Sequence, residues 1–227
     1  MSAERQRASN FEVRASLAER YNERGDMAFE RKEFTRALEN YIEAVEKDPN
    51  KMASHLNCAE THLKLKNFVE SIRCYEKAIS IGKKTQEDSK VIAGCFAKLG
   101  NVYRVSAKKK EFTKALKNYA KAIEMDPNEI TYYLKCGEIH FEVKDFLESI
   151  KFYEKAINVG QEVQAGSKLI AKCFEKLKTA HRENGTKFDV KKFESKTADI
   201  TSKVEEMAAE KPTEKPMVSQ SLLKSTI

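Results

Sequence analysis

The 227 residues contain no tryptophan, only 4 prolines and only 8 glycines, so a chain built from many tight turns, as in a sandwich or barrel of short strands, is not expected. Apolar–polar alternation of the strand type is missing as well. No apolar run approaches the roughly 20 residues that a membrane span needs, and the opening Met1-Ser2-Ala3-Glu4-Arg5 lacks the hydrophobic centre of a signal peptide. The five cysteines are odd in number and include no pair at the two-residue gap of zinc sites, which argues against a disulfide framework and a structural metal. That usage fits a reducing compartment, so a cytoplasmic location is expected. There is no glycine-rich phosphate loop and no nucleophile elbow. Neither an enzyme nor a cofactor is expected from these residues.

What remains is a highly charged chain, 34% Asp, Glu, Lys and Arg with a net charge of +7, and 41% hydrophobic. Such a composition reads as helical with a long exposed surface. The positive balance permits acidic partners without by itself calling for nucleic acid.

The chain writes one stretch twice. Shifted by 78 residues, Glu33–Lys98 falls on Glu111–Lys176 with 35 identities in 66 positions. Asp48-Pro49-Asn50 meets Asp126-Pro127-Asn128, and Tyr75-Glu76-Lys77-Ala78-Ile79 meets Tyr153-Glu154-Lys155-Ala156-Ile157. Repetition of this kind builds an extended surface more readily than a single pocket. Within it, Gly25, Ala59, Gly100 and Gly137 mark one small position, where antiparallel helices approach closely. Ala37, Ser71, Ala115 and Ser149 mark a second. Tyr41, Tyr75, Tyr119 and Tyr153 follow four residues later, and Ala44, Ala78, Ala122 and Ala156 three beyond those.

Taken in order, residues 1–8 are polar and expected to be flexible. Ser9 with Glu12 fits a capping box opening a helix that runs to about Arg31. A second helix spans Phe34 to Lys47, ended by Asp48-Pro49-Asn50 because the residue before proline is driven from the helical region. The next begins near Met52, breaks near Asn67 and restarts at Val69. In the second and fourth units no proline intervenes, and about ten extra residues are expected before Cys95-Phe96 and Cys173-Phe174 open the next helices. The third unit carries an insertion at Lys108-Lys109-Lys110, either a solvated turn or a basic contact. A solitary helix, about Ala171 to Arg182, closes the array, with Lys178 where earlier units have a small residue, and Asn184-Gly185 stops it. Val190, Phe193, Thr197, Ile200, Val204 and Met207 form an apolar seam, for a capping helix over 187–209 or for a coiled-coil partner. From Glu210 to Ile227 the chain is expected to be disordered.

The small-residue and tyrosine pattern over about residues 18 to 181 resembles the tetratricopeptide repeat, a 34-residue helix–turn–helix unit. The resemblance implies an all-α, right-handed solenoid of antiparallel helix pairs over 9–185, with units at about 18–51, 52–92, 93–129 and 130–170 and the single helix 171–182. The stretch Glu76–Tyr103, reading Glu-Lys-Ala-Ile-Ser-Ile-Gly and ending Phe-Ala-Lys-Leu-Gly-Asn-Val-Tyr, further resembles the chaperone-binding domain of the heat-shock organising co-chaperones, the stress-induced phosphoprotein family. In that family a carboxylate clamp grips the Glu-Glu-Val-Asp tail of heat-shock proteins 70 and 90. It uses a Lys and an Asn on the first helix, an Asn on the third, and a Lys and an Arg one turn apart on the fifth.

Carried onto this chain, the clamp has two possible seats. In the first, Asn22 and Asp26 take the first-helix positions, Asn57 matches, and Gly94 with Lys98 leaves one cation. Asp26 would repel a ligand carboxylate. In the second, Ala97 replaces the first Lys, Asn101 matches, Lys135 replaces an Asn, and Lys172 with Lys176 supplies both cations. The candidate peptide-binding residues are therefore Asn101, Lys135, Lys172, Lys176, Asn57 and Lys98, and a plain reading of these lysines as solvated surface stands beside it. The implied function is a non-catalytic, protein-binding adaptor of co-chaperone type. The alternatives are a scaffold gripping another protein through apolar groove contacts and, last, a polyanion binder using Lys108-Lys109-Lys110. The four histidines read as packing residues, because His62, His140 and His181 share one repeat position. Cys58 with Cys136, and Cys95 with Cys173, are equivalent and read as buried. Asn184-Gly185-Thr186 forms a sequon with no enzyme to meet in a cytosol. The terminal Ser225-Thr226-Ile227 is a weak match to PDZ ligands.

Overall fold

The computed structural model describes residues 3–106 and 111–188. Among these, nine helices follow one another: α1 (Ala3–Glu30), α2 (Phe34–Lys47), α3 (Met52–Lys64), α4 (Phe68–Thr85), α5 (Ser89–Val105), α6 (Glu111–Met125), α7 (Ile130–Glu142), α8 (Phe146–Glu162) and α9 (Ser167–Glu183). Each packs on the helix before and after it in sequence, which makes a solenoid of four antiparallel pairs followed by α9.

The small residues of the repeat exist because of the tyrosines. A Cβ added at Gly25 would lie 2.4 Å from Cε1 of Tyr41, and one at Gly137 would lie 2.5 Å from Cε1 of Tyr153. Tyr41, Tyr75, Tyr119 and Tyr153 are all buried, so each ring is a fixed plate across which the two helices of a pair meet. Ser71 Oγ donates to the Ala59 carbonyl at 2.8 Å and Ser149 Oγ to that of Gly137 at 3.0 Å. These serines sew the second and fourth pairs together with a hydrogen bond that Ala37 and Ala115 cannot make in the others.

The turns repeat too. Lys32, Lys66 and Lys144 adopt φ values of 62°, 61° and 64°, the left-handed conformation that ends a helix. The next amide then reaches back to the helix, as in Asn67 N–H to His62 O at 2.8 Å and Asp145 N–H to His140 O at 2.9 Å. Between pairs, the Asp-Pro-Asn turns are held from inside α3 and α7. His55 Nε2 lies 2.9 Å from the Pro49 carbonyl, and Tyr133 Oη donates to the Pro127 carbonyl at 3.0 Å. His55 and Tyr133 are 78 residues apart, so two different side chains do the same work. Arg14 adds a lock at the first end, donating from Nε and Nη2 to the carbonyls of Lys47 and Glu46 at the end of α2, both at 3.2 Å.

Several boundaries differ from the sequence expectation. Helix α1 starts at Ala3, ahead of the Ser9–Glu12 box, so that box lies inside the helix. The extra residues of the second and fourth units are mostly helical. α4 continues to Thr85 and α8 to Glu162, and α5 and α9 begin at Ser89 and Ser167, about a turn and a half before Cys95 and Cys173. The isoleucine-rich stretches keep the apolar spacing going past the usual repeat end, and Asp88 caps α5 by accepting from the Lys90 amide at 2.7 Å. Residues 187 and 188 are not helical. The Lys108-Lys109-Lys110 insertion, the Val190–Met207 seam, the segment from Glu210 and the C-terminal Ser225-Thr226-Ile227 lie outside the described residues.

The histidines and cysteines pack as their periodicity suggests. His140 stacks on Phe152 at 5.3 Å and 15°, and His181 leans on Phe188 at 5.5 Å. Cys58, Cys95, Cys136 and Cys173 are buried, and all five thiols are free. Burial pushes Cys58, Cys136 and Cys173 up to about 12 and Cys95 to about 11. Among the described residues no group of His, Cys, Asp and Glu is placed to hold a metal, and no helix is long and apolar enough to cross a membrane.

Candidate peptide-binding groove

The odd-numbered helices follow one another along the solenoid, and polar side chains tie α1 to α3, α3 to α5 and α5 to α7. Asn22 of α1 donates to Ser54 Oγ of α3 at 2.8 Å, and Lys98 of α5 pairs with Glu60 of α3. Arg104 of α5 lies 3.3 Å from Glu138 and 2.5 Å from Glu142, both on α7. These helices form one face of the solenoid, the face on which the sequence places every candidate ligand residue.

At the first seat the structure uses those residues up. Asn22 is buried, with Nδ2 bound to the Ala18 carbonyl and to Ser54. Asp26 Oδ1 accepts from Tyr41 Oη at 2.7 Å and from Asn57 Nδ2 at 3.3 Å. Burial and then Asp26 raise the Tyr41 phenol far above its usual range, so it stays a donor. Lys98 is neutralised by Glu60, and Gly94 offers no side chain. The arrangement places an acid where a ligand carboxylate would have to approach.

The second seat is split. Ala97, Lys98, Asn101 and Lys135 come together around a hollow of about 490 Å³ between α3, α5 and α7, shared with Glu60, Leu63, Tyr75, Tyr119, Thr131 and Tyr132. Its floor is aromatic and its rim carries both charge signs. Lys135 Nζ lies 2.9 Å from Glu138 Oε2. Lys172 and Lys176 do not line this hollow. They sit one turn apart on α9, exposed, and neither makes an ion pair among the described residues.

Glu60, Glu138, Glu142 and Arg104 were not among the residues singled out from the sequence. Lys135 and Glu138 stand three apart on one helix, a spacing that signals a pair. The α5–α7 and α3–α5 bridges join residues 34 to 38 positions apart, and no local pattern announces them. Around Arg104, burial opposes the charge, but the Glu142 hydrogen bond and the two carboxylates outweigh it and raise the pKa.

Stacked helix pairs with a peptide-sized groove define a helical-repeat binding protein. The repeats are tetratricopeptide repeats: that family's model matches residues 53–84 and 130–159, and a second model described as TPR repeat matches 100–144. The chain is 38% identical over 115 residues to stress-induced-phosphoprotein 1 of Caenorhabditis elegans, a match covering 48% of this chain and 35% of that protein. It is 28% identical over 134 residues to Hsp70-Hsp90 organizing protein 3 of Arabidopsis thaliana, covering 59% and 24%. The chain thus matches about a third or less of the length of either relative. The fold is shared with the crystal structure of the MamA protein, at a TM-score of 0.63 and 18% identity over 88% of this chain and 98% of that one. What these sequence relatives share with this chain is a stretch of its repeat array.

Proposed function

We propose that this chain is a co-chaperone adaptor that takes the acidic C-terminal peptide of a chaperone of the heat-shock protein 70 or 90 class. Lys172 and Lys176 receive the carboxylates, with Asn101 and Lys135 contacting the peptide further along the groove. The observation that carries this reading is the contrast among the groove lysines. Lys98 and Lys135 are held by internal carboxylates, whereas Lys172 and Lys176 are exposed, one turn apart and unpaired among the described residues. Two ammonium groups at that spacing suit two neighbouring carboxylates. The similarity to organising co-chaperones supports the class of ligand. The first seat is disfavoured, because Asn57 is bound to Asp26 and Lys98 to Glu60.

Titration with the peptide Met-Glu-Glu-Val-Asp at low and moderate salt tests this. Binding that weakens with salt, and is lost on Lys172→Ala with Lys176→Ala, is the expected result. No binding, or binding indifferent to both substitutions, sinks the proposal.

A second reading has its own support in the hollow at α3, α5 and α7. Its floor is Leu63, Tyr75, Tyr119 and Tyr132, and both of its lysines are internally neutralised. A partner docked there through apolar side chains would survive high salt and the Lys172 and Lys176 substitutions.

A further inference from the structure

The duplication puts the same carboxylate and the same lysine at matching points of the two seats. Glu60 of α3 and Lys98 of α5 correspond to Glu138 of α7 and Lys176 of α9. In the first copy the two form an ion pair between neighbouring helices. In the second the same two residue types are present, and the corresponding pair is not made among the described residues. Glu138 instead gives Oε2 to two other cations, Lys135 Nζ at 2.9 Å and Arg104 Nη1 at 3.3 Å.

Neither of those cations has a charged counterpart in the first copy. Lys135 replaces Asn57. Arg104 stands four residues after Gly100, as Phe29 stands four after Gly25. Arg104 is fixed from its other side, with Nε 2.9 Å and Nη2 2.5 Å from Glu142 Oε1. Its planar fork spans two carboxylates one turn apart on α7, which a single ammonium group cannot do with the same geometry. The Glu138 side chain is only 10% exposed, so it is enclosed within this cluster. A carboxylate already facing two cations attracts a third weakly.

We propose that Arg104 is a positioning residue: by holding Glu138 on the α5–α7 side, it keeps Lys176 out of the ion pair that Lys98 makes in the first copy, and so leaves Lys176 beside Lys172 for a ligand carboxylate. This rests on the anion-binding reading given above. Arg104 acts through Glu138 and does not touch the peptide. It accounts for two seats with the same lysine and the same glutamate differing in what they offer a ligand: in one the lysine is used internally, in the other it is released.

The test uses the whole chain carrying Arg104→Met, with two readouts. The first is the pH titration of the Lys176 ammonium, followed by NMR without ligand. The second is affinity for Met-Glu-Glu-Val-Asp. Loss of Arg104 is expected to let Glu138 turn to Lys176, raising the pH at which Lys176 titrates. Peptide binding weakens roughly three- to fivefold, the worth of one partly exposed ion pair. Adding Glu138→Gln restores both readouts. Adding Glu142→Gln, which restores the same net charge, restores neither. An unchanged Lys176 titration in Arg104→Met overturns the proposal, as does equal rescue by the two glutamines, since net charge alone would then explain the effect. If Arg104→Met does not fold, Arg104→Lys keeps the charge without the bridging fork and is read in the same way. Should the unmodified chain fail to bind the peptide while Lys176 still responds to Arg104 and Glu138, the co-chaperone reading falls and the positioning role stands.

Discussion

Asn57 donates its side-chain amide to Oδ1 of Asp26 at 3.3 Å, and Tyr41 donates to the same oxygen at 2.7 Å. The amide best placed to meet a ligand at the first seat is therefore spent on the protein itself, and the acid that consumes it also repels ligand carboxylates. In the second copy the position of Asp26 is taken by Asn101, which lines the hollow. Asp26→Asn is expected to preserve the Tyr41 contact while removing the repulsion. Its effect on acidic-peptide affinity is a gain of about two- to fivefold, within the range of one exposed charge interaction. Calorimetric titration at two salt concentrations checks this: the gain should shrink as salt rises.

Gly25 and Gly137 face tyrosine rings so closely that even a methyl group has no room, the nearest ring atoms being 2.4 Å and 2.5 Å from an added Cβ. Tyr41 and Tyr153 are 2% and 1% exposed, so neither ring has solvent to move into. Gly25→Ala and Gly137→Ala should each destabilise the fold by about 1–3 kcal/mol, the usual cost of overpacking. Ala59 supplies the internal control, because the second unit already holds a methyl group at that position against Tyr75. There the reverse change, Ala59→Gly, should also destabilise, by about 1 kcal/mol for a glycine inside a helix. Urea unfolding checks that all three variants lose stability, so that neither residue type can stand in for the other at its own position.

The elements that the sequence made legible are those whose physics is local or repeated. The tyrosines and the small residues opposite them recur at fixed offsets, and the Asp-Pro-Asn turns interrupt the helices at a point that a dihedral constraint dictates, so α2 ends and α3 begins where expected. The Ser9–Glu12 box misled because residues that suit a helix start also occur inside helices: α1 begins at Ala3 and runs through both of them. The positions of the candidate ligand residues were legible from the repeat frame. Their availability was not. Lys98 is taken by Glu60, 38 residues away on another helix, and Glu138 is shared with Arg104, 34 residues away, while only the Lys135–Glu138 pair is local. A duplicated sequence shows which residues match and not which carboxylate each cation chooses.

His62, His140 and His181 share a repeat position and differ in what meets Nδ1. Asp145 Oδ2 lies 3.3 Å from it in His140, and Thr186 Oγ1 lies 2.8 Å away in His181. The buried Nδ1 of His62 has no partner among the described residues. Burial lowers the His62 pKa below its ordinary 6.5, only partly opposed by the Glu70 charge. The folded chain therefore binds a proton at His62 less readily than the unfolded chain does. Its contribution to stability is intact above the unfolded value and is lost as pH falls through that value toward the lower folded one. Urea midpoints measured between pH 7.5 and 5 should decline, and His62→Phe should flatten part of that decline. An unchanged slope in His62→Phe would place the titration elsewhere.

Lys66 and Lys144 hold φ values of 61° and 64° at equivalent turns, and Lys32 holds 62° at the first. A side chain with a Cβ pays roughly 1–2 kcal/mol for that conformation because the Cβ crowds the following carbonyl. Glycine is free of the crowding but loses more backbone freedom on folding. The first effect is larger where φ is fixed in the left-handed region, and the bonds from Asn67 and Asp145 back to His62 and His140 fix it there. Lys66→Gly and Lys144→Gly should therefore each stabilise the chain by about 0.5–1 kcal/mol, the net of the two effects. Both lysines are exposed and neither lines the hollow, so peptide affinity should stay the same while the thermal midpoint rises. Lys66→Ala, which keeps the Cβ and removes the charge, separates the two causes. A rise in midpoint equal to that of Lys66→Gly would assign the gain to charge and not to the backbone.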